Sequence, residues 1–223
     1  GYTGNAPRLG WGAAGRIRTT KYSDAACTNS GGTSVATRLA SMQSSYTDGN
    51  GIVSPRPHVI NCSFSTNGIG PPGWVGTETD PRAIDAAVWD YDHLVVFSAG
   101  NEGSGASTLG EESSAKNALA GANVIDYESG TDGDPGQIAT SSSRGPCGDD
   151  RWKPNVAAPG KWIRSASAET TSLYVDKSGT SMAAPHVTGV AAQLADHYSW
   201  LRYAPHRLAS LLMATAMTDD DIV

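Results

Sequence analysis

Charge is scarce in this chain. Asp, Glu, Lys and Arg make up 17% of its 223 residues, too little for a charge-rich disordered polypeptide. The balance is acidic, with a formal net charge of −6. The basic stripe of a general nucleic-acid binder is therefore missing, and no nucleic-acid partner is expected. Long apolar runs are missing too. The longest aliphatic stretch is residues 94–97, far short of the ~18 residues of a membrane-spanning helix, so no membrane partner is expected. Cysteine is sparse: Cys27, Cys62 and Cys147. An odd count allows at most one bridge within the chain. Without a C-x-x-C pair there is no zinc or redox motif. The plain reading is three small buried or half-buried side chains. Internal repeats and low-complexity linkers are lacking. The sequence opens on Gly1 with no charged–apolar–small leader pattern, which points to a processed product, a cleaved piece or a recombinant fragment.

What is present is Gly (26), Pro (12) and abundant Ser and Ala. This loop-rich composition is common among secreted hydrolases, so an extracellular location is the expectation. A chain of this size can bury roughly 70–75% of its unfolded surface and needs no staples. It is read as one domain over 1–223.

Short apolar runs alternate with helical patterns. Residues 15–22 suit a strand. Residues 33–42 suit a helix with Val35, Leu39 and Met42 on one face. Residues 58–64 and 94–98 read as strands. Thr79-Asp80-Pro81 reads as a helix start, a capping side chain followed by Pro at the first helical position. Residues 113–120 suggest a helix, 124–125 a strand, 129–159 a loop-rich stretch, and 174–175 a hairpin strand. Long and short helices are expected over 181–197 and 205–214. Wholly apolar strands between helices imply an α/β fold: a mostly parallel sheet with helices on both faces. In such sheets the site forms at the carboxyl ends of the strands. That directs attention to Ser63, Phe64 and Ser65, and to residues 99–103.

The segment Ser178-Gly179-Thr180-Ser181-Met182-Ala183-Ala184-Pro185-His186-Val187 carries the chemistry. Small residues precede a Ser at the mouth of an Ala-rich helix. There a hydroxyl meets unpaired backbone N–H groups and positive potential. A nucleophile attacking a carbonyl is well served by such donors. The plainer reading is that Ser181 merely caps the helix.

The decapeptide resembles the nucleophile signature of the subtilisin-like serine proteases (subtilases). The likeness extends to Val59-Ile60-Asn61-Cys62-Ser63-Phe64-Ser65, similar to the family strand that borders substrate. It extends also to Val95-Val96-Phe97-Ser98-Ala99-Gly100-Asn101-Glu102-Gly103, similar to the strand and loop with the oxyanion-hole Asn. Ser141-Ser142-Ser143-Arg144-Gly145-Pro146, Lys153-Pro154-Asn155-Val156-Ala157-Ala158-Pro159-Gly160 and Leu211-Leu212-Met213-Ala214-Thr215-Ala216 match further family stretches in order. The resemblance implies a three-layer subtilisin-like fold and a serine endopeptidase acting on polypeptides. It implies catalytic roles for Ser181 (nucleophile) and Asn101 (oxyanion donor, with the Ser181 N–H as the second). Ser63, Phe64 and Ser65 would pair with the substrate backbone, where family members often carry Ser-Leu-Gly. Ala99 and Gly100 would line the primary pocket. Glu102 at its rim would modestly favour basic residues before the scissile bond. Phe64 could equally be plain core, and Asn101 a turn residue.

A Ser hydroxyl needs a general base. The family's His-Gly-Thr-His-type helix start and its early Asp are not found. Gly1-Tyr2-Thr3-Gly4-Asn5-Ala6-Pro7 resembles the stretch just after that His helix. The expectation is that roughly 80 residues, about half an average domain, precede this sequence in the complete catalytic unit. A companion N-terminal fragment carrying Asp and His would then be the partner. The five histidines present do not substitute. His186 faces away from Ser181 along its helix. His58 and His93 lie at the wrong end of the sheet, and His197 and His206 are far down the last helices. Asp24 follows a strand but has no matching His. No cofactor is required. The acidic loop with Asp126, Glu128, Asp132 and Asp134 offers oxygens suited to a structural calcium, or is simply solvated. Asp219, Asp220 and Asp221 read as a tail. The alternative function is a non-catalytic binding or scaffold protein on the same fold. An α/β-hydrolase esterase fits less well, because Gly179-Thr180-Ser181-Met182-Ala183 lacks the final Gly of that elbow.

Overall fold

A computed structural model describes residues 34–43, 46–47, 53–54, 56–65, 70, 73–125, 133–167 and 172–217. In chain order the elements are α1 (Val35–Gln43), β1 (Tyr46–Thr47), β2 (Val53–Ser54), β3 (Val59–Cys62), α2 (Thr79–Tyr91), β4 (Leu94–Ser98), β5 (Leu119–Val124), β6 (Val156–Pro159), β7 (Ile163–Ala166), β8 (Tyr174–Lys177), α3 (Thr180–His197) and α4 (Pro205–Ala214). Short 3-10 turns occupy Glu112–Ser114 and Ser199–Leu201.

The central sheet has the order β3-β4-β5-β6 with every pair parallel. β4 is buried at all five positions. Its alternate side chains enter two separate cores. Val95 and Phe97 pack with Val35 and Leu39 of α1 and Ile84, Ala87 and Val88 of α2. Leu94 and Val96 pack with Ala183, Ala184, Val187 and Ala191 of α3 and Leu208 of α4. Period-two alternation in a strand that is apolar on both sides thus builds the helix–sheet–helix layers. β7 and β8 form a separate antiparallel hairpin that leads directly into α3.

Several expectations are corrected. The segment 113–120 is not a helix: a single 3-10 turn closes at Ala115, and β5 follows from Leu119. The Asn117 N–H donates to Asp85 Oδ1 at 2.7 Å, away from any helical partner. β5 is buried on both faces, so its pattern carries no period to separate strand from helix. The loop read over 129–159 ends in β6, whose Pro159 is tolerated because β6 pairs on one side only among the described residues. α2 begins two residues before Pro81. Its cap residue is Glu78, with no side-chain cap bond; the Glu78 carboxylate accepts the Val75 N–H at 3.1 Å instead. The expected strand at 15–22, Asp24, Cys27, the opening heptapeptide and the acidic tail lie outside the described residues. Cys62 and Cys147 are free and buried.

Candidate active site

β3 and β4 end side by side, and their extensions carry residues 63–65 and 99–103 past the sheet. α3 crosses the same end, so its first turn meets both extensions. Gly179 enters it at φ 146°, and a Cβ there would sit 3.2 Å from Asn101 Oδ1. Glycine therefore lets the Asn101 carboxamide lie against the backbone just before Ser181.

Thr180 sets the orientation of that carboxamide. The Thr180 N–H donates to Asn101 Oδ1 at 2.9 Å. An N–H demands an acceptor, so the oxygen faces Thr180 and Nδ2 is left as the outward donor. The Thr180 hydroxyl accepts the Gly100 N–H at 3.2 Å and lies 3.1 Å from both Gly100 O and Asn101 Oδ1. Asn101 itself is exposed and Ser181 half-buried.

Ser181 is the second residue of α3. Its Oγ donates to Ser63 O at a long 3.5 Å. Its own carbonyl is released from the helical ladder because Pro185, four residues on, has no N–H. The Ser63 hydroxyl takes that carbonyl at 2.9 Å. Asn61 Nδ2 donates to Ser63 Oγ at 3.0 Å, and the Thr188 hydroxyl lies 3.2 Å from Asn61 Oδ1. A polar chain thus ties α3 to β3 beneath Ser181. Thr180, Asn61, Thr188 and Pro185 were not singled out from sequence. A polar Asn inside an otherwise apolar strand was the available signal.

The remaining positions are as follows. The Phe64 side chain packs into the α1–α2 core, edge-on to Phe97 at 5.6 Å and beneath the Arg38 guanidinium at 4.9 Å. The exposed Ser65 donates to Glu112 Oε2 at 2.8 Å. Ala99 is buried with Leu109 and Cys147, and its carbonyl accepts the Gly110 N–H at 3.0 Å. Gly100 has φ 113°, a conformation that favours glycine. Glu102 is exposed, with its N–H on Ser143 Oγ at 3.0 Å.

Among the described residues no imidazole is bonded to Ser181. His186 Nδ1 sits 2.8 Å from Met182 O and donates to it. His93 is fully buried at the opposite end of the sheet, where burial pushes its pKa down to about 4. His58 lies against Tyr203 with the rings tilted at 54°, and its pKa is also lowered, chiefly by burial. Burial raises both the Cys62 and Cys147 thiols, so neither is an activated nucleophile. Of the acidic loop only Asp134 is described, and its Oδ2 accepts from Gln137 at 3.1 Å. No cluster of three or more acidic, His or Cys groups fit for a metal occurs among the described residues. Asp126, Glu128 and Asp132 of the expected calcium loop lie outside the described residues.

Comparison with known proteins gives a consistent result. The model of the Subtilase family matches residues 22–222. Pyrolysin of Pyrococcus furiosus is 37% identical over 155 residues, which are 61% of this chain and 11% of pyrolysin. Thermitase of Thermoactinomyces vulgaris is 37% identical over 123 residues, 55% of this chain and 37% of thermitase. Among solved structures, sphericase aligns with a TM-score of 0.58 at 22% identity, over 81% of this chain and 55% of that one. The S41 psychrophilic protease aligns at 0.54 with 27% identity, over 70% and 48%. The chain therefore spans about half the length of these solved structures, and a smaller share of the two curated relatives.

Proposed function

The chain belongs to the subtilase family, and from that premise we propose that it carries the nucleophile and oxyanion-binding part of a serine endopeptidase. The observation that carries this reading is the Thr180 N–H bond to Asn101 Oδ1, made by the residue before Ser181, which leaves Nδ2 as a donor. Ser181 Oγ attacks the peptide carbonyl, and its proton passes to an imidazole. The new oxyanion is met by Asn101 Nδ2 and the Ser181 N–H at the positive end of α3. Collapse expels the amine, which takes the proton back, and water then hydrolyses the acyl ester. The imidazole and its orienting carboxylate belong, in this reading, to a companion segment outside this sequence. No cofactor takes part.

Substrate would lie between the 63–65 and 99–101 extensions, its backbone along Ser63, Phe64 and Ser65. The Phe64 ring is committed to core packing, so its main chain would do the pairing. Ala99 and Gly100 would flank the side chain before the scissile bond. Glu102, exposed at the rim, would add only a modest preference for basic residues. Equal cleavage of matched Arg and Asp peptides would remove that last element. The expected setting is extracellular.

The test is labelling of the complete protein with a fluorophosphonate, followed by peptide mapping. Label on Ser181, with a second peptide carrying Asp and His found by mass spectrometry, supports the reading. Peptide binding with no label would favour the non-catalytic scaffold instead.

A further inference from the structure

We propose that Ser143 is the positioning residue of the oxyanion donor, gripping the two peptide groups on either side of Asn101. The inference rests on the proteolytic reading above and deepens it. Asn101 is an exposed residue, so no buried packing surrounds its side chain. Its direction depends on the Thr180 bond and on the backbone torsions of Asn101. Those torsions lie between two peptide planes. The plane before Asn101 contains Gly100 O, which accepts the Ser143 N–H at 3.0 Å. The plane after it contains the Glu102 N–H, which donates to Ser143 Oγ at 3.0 Å. One residue therefore holds both planes.

Ser143 can do this because it is itself immobilised. It is fully buried. Its segment is stitched to the same loop by Gly103 N–H on Ser141 O at 3.1 Å and Thr108 N–H on Arg144 O at 2.8 Å. The loop yields room for it at one point. Gly100 takes φ 113°, and a Cβ there would come within 2.7 Å of Ser143 Oγ. Any larger residue at 100 would push the hydroxyl out of reach of Glu102.

Ser143→Ala removes the acceptor but keeps the Ser143 N–H and Cβ. Glu102 is an exposed residue and the Ser143 N–H bond to Gly100 O is retained, so the fold should survive. In the complete protease, kcat should fall about tenfold with KM within about twofold, because the lost alignment matters only when the oxyanion forms. In an Asn101→Ala background the same change should cost nothing further, since the group it aligns is gone. Hydrogen exchange gives a second readout that needs no catalysis: the Glu102 amide should exchange at least about tenfold faster in S143A, with α3 amides unchanged. An unchanged kcat in an active parent, a full additive loss in the double variant, or unchanged Glu102 exchange would overturn the proposal. A parent that hydrolyses no peptide would instead count against the proteolytic reading, leaving exchange to judge the clamp.

Discussion

The two ends of the central sheet treat polar side chains differently. At the carboxyl end, Asn61, Ser63, Ser143, Thr180 and Thr188 each bond to a partner on another element: Thr180 holds the Asn101 carboxamide, Ser143 the Glu102 amide, and Asn61, Ser63 and Thr188 tie β3 to α3. At the amino end, His93 is buried with neither ring nitrogen bonded, stacked 5.9 Å from Tyr91. One end uses polar atoms to fix geometry. The other uses an imidazole as space-filling core and keeps it neutral. The lesson is that burial alone does not mark a functional group; the direction of its bonds does. Asn123 is the exception at the carboxyl end: its buried carboxamide has no hydrogen-bond partner among the described residues.

The comparison can be broken in order of size. Ser181→Ala should abolish fluorophosphonate labelling and lower peptide hydrolysis by ~10⁶ in the complete protease, read by steady-state kinetics. Asn101→Ala should lower kcat by ~10²–10³ with KM little changed. A rise in KM with kcat unchanged would mean that the carboxamide binds ground state and transition state alike. At the other end the readout is stability against pH. His93 is held below its ordinary 6.5 at about 4, so the unfolded state binds the proton first. Stability contributed by neutral His93 is full above about pH 6.5 and falls as pH drops towards 4, by at most about 3 kcal/mol. Chemical denaturation across that window should show the loss, and His93→Phe should flatten it. The smallest effect belongs to Thr188→Val. Removing the hydroxyl that serves Asn61 should cost about 1 kcal/mol of stability and leave the pH profile unchanged.

Much of the fold was legible from local pattern. β4 and α4 fall where the apolar run and the opening Pro put them. α3 starts one residue before the predicted span, at Thr180. β5 was misread because a strand buried on both faces has no polar side to give it a period. The Ser181 segment was legible from its small residues before a helix. The groups that aim it were not. Thr180 reaches a residue 79 positions away and Ser63 one 118 away. Such pairings exist only once the parallel strands bring their ends together. Phe64 shows the same limit from the other side: the strand extension is where the sequence put it, but its ring belongs to the core.

The most direct test is a crystal structure of the complete protein reacted with a peptide aldehyde or boronic acid. The adduct should sit on Ser181 Oγ, with its oxygen ~2.7–3.1 Å from Asn101 Nδ2 and from the Ser181 N–H. An adduct on another residue, or one whose oxygen points away from Asn101, would contradict the account.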